Sequence, residues 1–304
     1  MKAIICTKYG KPEVLEIREI DKPKPKDNEV LVKILSTAVN SGDVRVRGLI
    51  VDGFLRIVMR FVLGFNKPRK PVIGNVASGI IEEIGKDVKA FKVGDEVFLS
   101  TAFRFGTYAD YIAFPENSTI THKPQKASFE DAVAIIFGGM TAKYFLEKAG
   151  ISKLNKKVLI YGATGSVGCS AVEISKYYKA NVTSVCSEQG AELSKKLGSD
   201  SIIIYTKEDF TKIDEKFDII FDAVGKITKK QCSKLLKEDG KYITVGGLDV
   251  TKETKSQLEF LSSLYDKGYL HANIDKIYSF NEIREAHDYV EKGRKKGNVV
   301  IKVN

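Results

Sequence analysis

Cysteine is scarce in this chain. Four occur in 304 residues, at positions 6, 169, 186 and 232, and no two of them are spaced as a pair. That excludes a disulfide framework and a Cys-x-x-Cys metal knuckle, and it fits a reduced, cytoplasmic setting. Histidine is scarcer still. His122, His271 and His287 lie far apart, each beside charged or polar neighbours, and each reads as a surface residue rather than a metal ligand. No apolar run is long enough to span a bilayer, and Met1–Cys6 has no signal-peptide layout. There is no internal repeat and no low-complexity tract. Hydrophobic content of 43% and charged content of 29% are those of a soluble globular protein with room for one large or two ordinary domains. The net charge of +10 comes mostly from scattered lysine, a pattern that reads first as solvated surface and makes nucleic acid an unlikely partner.

The most informative stretch is Val158–Gly168. A short apolar run enters Gly162-Ala163-Thr164-Gly165-Ser166-Val167-Gly168, and apolar positions then follow at helical spacing through Ala171, Val172, Ile174 and Tyr178. Strand, glycine turn and helix start together make a phosphate site. Glycines let a pyrophosphate approach the backbone, and the helix N-terminus offers free N–H groups and the positive end of its dipole. Backbone amides at Ser166, Val167 and Gly168 are the expected cradle.

Downstream, strands alternate with helices. Strands are expected at Val158–Tyr161, Asn181–Cys186, Ile202–Tyr205, Phe217–Asp222 and Lys241–Val245, with helices at 166–178, 190–197, 228–237 and 253–267. The pattern predicts a doubly wound parallel sheet. Its strand tips carry Val224-Gly225 and Gly246-Gly247, where a dinucleotide would lie. Upstream the pattern is different. Short β-like runs at Ala3–Cys6, Val14–Ile20, Val30–Leu35, Gly79–Ile84, Asp95–Leu99 and Tyr108–Phe114, with glycine turns between the later ones, predict a partly open barrel. Phe54, Ile57, Val58, Phe61, Val62 and Phe65 form an amphipathic helix that ends at Lys67-Pro68-Arg69-Lys70-Pro71. Residues 128–149 read as two helices broken at Gly138-Gly139. The tail reads as a strand at Ile277–Phe280, a helix over 281–292 and a closing strand at Val299–Val303.

Five segments together resemble the medium-chain dehydrogenase/reductase superfamily in its zinc-independent, quinone oxidoreductase-like branch. Asn40-Ser41-Gly42-Asp43-Val44-Arg45-Val46-Arg47-Gly48 is similar to N-P-x-D-x-x-x-R-x-G. Gly85 with Phe91-Lys92-Val93-Gly94-Asp95-Glu96-Val97 is similar to G…F-x-x-G-D-x-V. Gly106-Thr107-Tyr108-Ala109-Asp110-Tyr111 resembles G-x-Y-A-E-Y, and Gly138-Gly139-Met140-Thr141-Ala142 resembles a G-x-T-A helix turn. The fifth is the glycine turn itself. The resemblance implies an α/β fold: a Rossmann-type doubly wound parallel sheet inserted into a GroES-like β-barrel domain. The boundaries it implies are 1–120, completed by 270–304, for the GroES-like domain and 121–269 for the nucleotide domain. It implies NAD(P)H-dependent reduction of a quinone or α,β-unsaturated carbonyl. Two rival functions are a zinc-independent alcohol or aldehyde oxidoreductase and a nucleotide-gated RNA-binding protein of zeta-crystallin type.

The resemblance also bears on single residues. Zinc-dependent relatives carry a Cys-His pair where this chain has Thr37-Ala38-Val39-Asn40, so no zinc is expected. Asn40 and Thr141 are implied to fix the nicotinamide face, although short polar residues in such places also cap turns. Asp43 and Arg47 are expected to form a structural ion pair. An acid at the tip of the second sheet strand would select NAD(H), but Cys186 stands there. Ser187 and Tyr205 are implied to contact a 2′-phosphate, so NADP(H) is preferred, with NAD(H) kept open by Glu188. No residue stands out as a proton donor, and a reduced quinone or enone can take its proton from water. The helix at 54–65 reads as a lid with its apolar face over the substrate cleft, or as a peripheral membrane contact given Arg56, Arg60, Lys67, Arg69 and Lys70. The sixth sheet strand that relatives have is missing, leaving Lys241–Val245 as an edge that either Leu248–Lys255 folds over or the same edge of a second copy meets. A monomer or weak homodimer is expected.

Overall fold

The computed structural model describes residues 1–50, 54–153, 155–247 and 249–303. Along the first part of the chain come β1 (Lys2–Cys6), β2 (Leu15–Glu19), β3 (Glu29–Val39), α1 (Ser41–Gly48), α2 (Phe54–Leu63), β4 (Val76–Ile84), β5 (Glu96–Ser100), β6 (Tyr111–Pro115), β7 (Ile120–His122) and α3 (Phe129–Ala149). The middle holds β8 (Lys157–Tyr161), α4 (Ser166–Tyr177), β9 (Asn181–Cys186), α5 (Ala191–Lys196), β10 (Ser201–Ile204), β11 (Phe217–Asp222), α6 (Lys229–Cys232), β12 (Leu236–Thr244) and α7 (Lys255–Asp266). The tail is β13 (Ile274–Ser279), α8 (Ile283–Glu291) and β14 (Asn298–Lys302). The chain divides into two units. The first comprises Met1–Ile136, Glu253–Ser263 and Ile274–Asn304, and the second Phe137–Lys252 and Leu264–Asn273.

The first unit is built on a mixed sheet in the order β13-β14-β3-β4-β5-β7. The long strand β3 changes partner midway. Glu29–Lys33 pairs with β6, and Ser36–Val39 pairs with the C-terminal strand β14. One extended strand therefore ties β6 and the C-terminal strand into the same sheet. Ile4, Val32, Ile34, Val97, Tyr108, Phe280 and Ile301 lie in its core, each at most 2% exposed. The second unit is a five-stranded parallel sheet in the order β10-β9-β8-β11-β12. Counted along the chain this is 3-2-1-4-5, the order of a Rossmann-type sheet, with its reversal between β8 and β11. Among the described residues no strand continues the sheet beyond β12. Leu248, the first residue of the expected edge cover, lies outside the described residues.

Three local features depart from the sequence pattern or add to it. The helix α3 is continuous through Gly138-Gly139. A Cβ at residue 138 would sit 2.3 Å from the Ser166 carbonyl oxygen, so glycine is there to let α3 press against the start of α4 and not to break the helix. A helix, α1, follows Asn40 directly, in a stretch for which the sequence pattern delimits no element. Asn40 and Asp43 form a reciprocal capping box that starts it. Finally, the apolar face of α2 is not packed on the protein: Ile57, Val58, Phe61, Val62 and the following Phe65 are exposed, and Leu63 does the packing. Residues 51–53 and the side chain of Phe54, the first apolar position of that stripe, lie outside the described residues.

Candidate functional site

In the second unit β8 ends at Tyr161 and the chain turns through Gly162 into α4. The N-cap of α4 is Gly165, which offers its first amides no capping side chain. The positive end of the helix therefore faces the turn with backbone groups alone, the arrangement that suits an anion. Gly162 takes a left-handed φ of 77°. A Cβ on Gly168 would lie 2.1 Å from the Gly162 carbonyl oxygen, so any larger residue at 168 would push the helix off the turn. Thr164, Ser166 and Val167 are buried within this turn and first helical residues. Thr141, also buried, lies one helical turn beyond Gly138, the α3 residue that touches Ser166.

The tips of the neighbouring strands close on the same turn. A Cβ on Gly162 would meet the Val224 side chain at 2.6 Å, and one on Gly225 would meet the Cα of Gly246 at 2.8 Å. Asp222, the last residue of β11, holds these tips. Its carboxylate is fully buried and accepts from the amides of Val224 (3.2 Å), Gly225 (2.8 Å) and Ile227 (3.1 Å) and from the Thr244 hydroxyl at the end of β12 (3.0 Å). The structure thus brings Gly162, Thr164, Gly165, Ser166, Val167, Gly168, Val224, Gly225 and Gly246 to one end of the sheet, beside its point of reversal. Gly247 follows directly in the chain.

At the next strand tip, Cys186 is buried and its thiol accepts from the Ser194 hydroxyl at 3.6 Å. Burial pushes that thiol's pKa up. Ser187 follows it, partly exposed, and the Tyr205 amide donates to the Cys186 carbonyl at 3.1 Å, so Ser187 and Tyr205 flank one strand end. Tyr205 is exposed, its ring 6.2 Å from that of Tyr161. Glu188 is ion-paired with Lys207. Gly190 stands against Thr164: a Cβ there would lie 2.8 Å from the threonine hydroxyl, so the turn leaves no room for a longer side chain at that position.

In the first unit Asn40 is buried and caps α1. Its side-chain oxygen accepts from the amides of Gly42 (2.8 Å) and Asp43 (3.2 Å), and its amide nitrogen donates to Asn75 Oδ1 (2.8 Å). An amide carries two N–H groups, and these bonds use one. Asp43 and Arg47 do not form the expected ion pair. Asp43 Oδ2 accepts from the Asn40 amide at 3.0 Å, while the Arg47 guanidinium reaches Glu291 at 2.8 Å. The capping box turns Asp43 back toward the helix start, and α8 supplies the acid that Arg47 meets.

Around them lies a buried polar cluster that the residue pattern does not announce. Tyr108 donates to or accepts from His287 Nε2 at 3.1 Å, and both side chains are fully buried. Asp43 Oδ1, Arg47 Nε and Nη1, and His287 Nδ1 have no hydrogen-bond partner. Burial drives the Asp43 carboxyl up to about 7, against the pull of the Asn40 amide and the Tyr108 hydroxyl. Burial and the nearby Arg47 charge drive His287 down to about 3. His287 is therefore a core residue and not a surface one. Ile283, Ala286 and Val290 share its face of α8, and that spacing was the available signal. Asp222 was signalled only by its place at a strand end before Ala223-Val224-Gly225. Among the described residues no group of three His, Cys, Asp or Glu side chains is arranged to hold a metal ion.

The parallel sheet with a glycine-capped helix at its reversal defines a dinucleotide-binding enzyme fold. Comparison with known proteins agrees. Residues 26–125 match the alcohol dehydrogenase GroES-like domain, and residues 166–290 match the zinc-binding dehydrogenase family. The chain is 32% identical to the 2-methylene-furan-3-one reductase of Solanum lycopersicum, covering 99% of this chain and 79% of that protein. It is 28% identical to the NADPH-dependent alkenal/one oxidoreductase, chloroplastic, of Arabidopsis thaliana, over 99% and 79% of the two chains. The solved structure of the quinone oxidoreductase from Coxiella burnetii superposes with a TM-score of 0.89 at 27% identity, covering 100% of this chain and 99% of that one. The chain belongs to the medium-chain dehydrogenase/reductase superfamily, in its quinone oxidoreductase-like branch.

Proposed function

We propose that this protein reduces a quinone or an α,β-unsaturated carbonyl at the expense of NADPH, without a metal. The observation that carries the reading is the glycine-capped start of α4 at the reversal of the parallel sheet, in a chain whose relatives are named as quinone and alkenal/one oxidoreductases. When bound, the nicotinamide supplies a hydride to the electrophilic carbon of the acceptor. The chain's own work is then to bind and orient. The amides of Ser166, Val167 and Gly168 hold the pyrophosphate, and Gly162, Thr164 and Gly165 shape the turn that lets it approach. Val224, Gly225, Gly246 and Gly247 form the floor beneath the cofactor, kept in place by Asp222. Thr141, through its hydroxyl, orients the nicotinamide, and Asn40 keeps one amide N–H that the bonds capping α1 do not use. Holding two partners in register is worth a large part of the barrier by itself. The proton comes from water.

NADP(H) preference is supported by the buried thiol of Cys186 at the strand tip, by Ser187 and Tyr205 beside it, and by the engagement of Glu188 with Lys207. Metal independence is supported by Thr37-Ala38-Val39-Asn40 in the place of a Cys-His pair. A monomer or weak dimer is supported by the sheet in which, among the described residues, no strand follows β12. The test is to follow NADPH and NADH oxidation with a naphthoquinone and with a medium-chain alkenal, with and without exhaustive chelation. The expected result is turnover with NADPH favoured at least about tenfold and unaffected by chelator, a preference that Ser187→Ala and Tyr205→Phe each reduce by removing one contact of about 1 kcal/mol to the phosphate. Turnover of neither acceptor, equal use of NADH, or loss of activity on chelation would each remove the corresponding part of the reading.

A further inference from the structure

We propose that α2 and the turn after it form a docking surface for an anionic lipid bilayer. Ile57 is 54% exposed, Phe61 59%, Val62 59% and Phe65 52%, with Val58 beside them. At 3.6 residues per turn, positions 57, 61, 58 and 62 span about 140° of the helix circumference. A single exposed leucine or valine is ordinary, but a contiguous apolar arc on one helix is not. The arc is held outward. Leu63 is buried, Met59 packs on the core of the first unit, and the Tyr9 hydroxyl bonds the Gly64 carbonyl at 2.8 Å. The opposite side of the helix is thus committed to the protein, and Phe61 and Phe65 meet edge to face on the free side.

Charge identifies the partner. Residues 54–81 contain five basic residues, Arg56, Arg60, Lys67, Arg69 and Lys70, and no acidic one. On the helix, Arg56 and Arg60 fall on the border between the packed side and the apolar arc. Lys67, Arg69 and Lys70 are exposed on the turn that follows. Lys67, Arg69 and Phe65 also line a pocket of about 340 Å³. An apolar face edged with cations matches a surface that is apolar beneath and anionic on top, the boundary of an acidic lipid leaflet. A second copy of this chain would bring the same cations against one another. The inference is independent of the reductase reading, because lipid binding is read without turnover.

The experiment is co-sedimentation of the full chain with vesicles of phosphatidylcholine alone and of phosphatidylcholine mixed with phosphatidylserine, at low and high salt. Binding to the mixed vesicles at least about tenfold tighter than to the neutral ones, weakened by salt, is expected. The double variant Phe61→Ser/Val62→Ser should lose at least about tenfold in binding to mixed vesicles while keeping its thermal midpoint, because both side chains are exposed. Arg60→Glu/Lys67→Glu should lose binding by a similar factor. The wild type remaining in the supernatant would overturn the proposal. So would full binding by the serine variant, which would reduce the effect to net charge. A dimer in vesicle-free sedimentation that the serine variant dissociates would assign the face to a second copy instead and would likewise overturn it.

Discussion

Two aspartates, one in each unit, are equally buried and live in opposite circumstances. Asp222 is surrounded by three amides and a hydroxyl that all point at its oxygens. Asp43 accepts one amide on one oxygen, its other oxygen has no hydrogen-bond partner, and the Tyr108 hydroxyl only pulls on the carboxyl from nearby. Burial costs a carboxylate its hydration in both places. At Asp222 the strand ends it ties together replace the lost water. At Asp43 they do not, and its pKa climbs to about 7. The lesson is that donors, not depth, decide what a buried acid does. Where donors are complete, the acid is a structural pin that ties strand tips together. Where they are incomplete, it becomes a group that titrates near neutrality, beside a histidine displaced in the other direction.

The largest effect should come from breaking the complete set. Asp222→Asn puts an NH₂ where an oxygen accepts, leaving at least one buried donor without a partner. A loss of about 2–4 kcal/mol in unfolding free energy is expected, read from urea denaturation. Because the Val224-Gly225 turn loosens at the same time, NADPH affinity should fall too. The matching change Asp43→Asn keeps an oxygen for the Asn40 amide and removes only a charge. It should cost less than about 1 kcal/mol near pH 5 and stabilise the protein near pH 8, where the wild type carries that charge unsolvated. Equal losses from the two changes would erase the distinction.

The second effect is smaller in net and depends on sign. Asp43 is raised to about 7, so between about pH 4 and pH 7 the folded chain holds a proton that the unfolded chain has released, and stability falls as pH rises. His287 is lowered to about 3, so between about pH 3 and pH 6.5 the unfolded chain holds a proton that the folded chain lacks, and stability falls as pH drops. From about pH 4 to pH 6.5 the two contributions oppose and nearly cancel. Each variant should unmask the other group. Relative to wild type, Asp43→Asn should lose stability on acidification through that window, and His287→Gln should lose it on alkalinisation, each by a few kcal/mol. Chemical denaturation at several pH values measures both. Two variants that track the wild type throughout would show that the cluster does not titrate.

The two regions also differ in how far their residues announce them. Strands β9 and β11 occupy Asn181–Cys186 and Phe217–Asp222, the spans expected for them; β11 is legible because a strand buried on both faces is rich in Ile and Phe, while β9 fills its buried positions with Val182, Thr183, Ser184, Val185 and Cys186. The glycine turn is legible because its requirement is local, a backbone close to a backbone. The polar cluster of the first unit is not, because it is assembled from β3, α1, the Tyr108 segment and α8, more than two hundred residues apart in sequence. Val44 and Val46 alternating with Arg45 and Arg47 imitate a strand, and only the three-residue spacing of Asn40 and Asp43 betrays the helix start. The double glycine at 138–139 imitates a break, because close packing and chain reversal ask for the same residue. An i,i+4 acid–base pair such as Asp43 and Arg47 is a sound expectation for an exposed helix. It fails where both side chains are drawn inward to other partners.

A third buried acid sharpens the comparison with the smallest effect. Glu173, in α4, is 6% exposed, and burial raises its pKa even though it accepts from the His271 ring at 2.7 Å, the His271 amide at 3.3 Å and Asn273 at 3.2 Å. Its donors are intermediate in number between those of Asp222 and Asp43, and one of them is a histidine whose side chain is 66% exposed. That histidine's pKa is raised, chiefly by the bond to Glu173. Its contribution to stability is therefore present below about pH 6.5 and is lost as pH rises through the folded-state value. Water screens a pair with one partner so exposed, and the His271 amide and Asn273 remain when the ring is removed. His271→Ala should cost less than about 1 kcal/mol near pH 5 and close to nothing near pH 9. Urea midpoints at the two pH values check it. A loss as large as that of Asp222→Asn would mean that one exposed donor counts as much as a buried set, and the ranking of the three acids by their donors would fall.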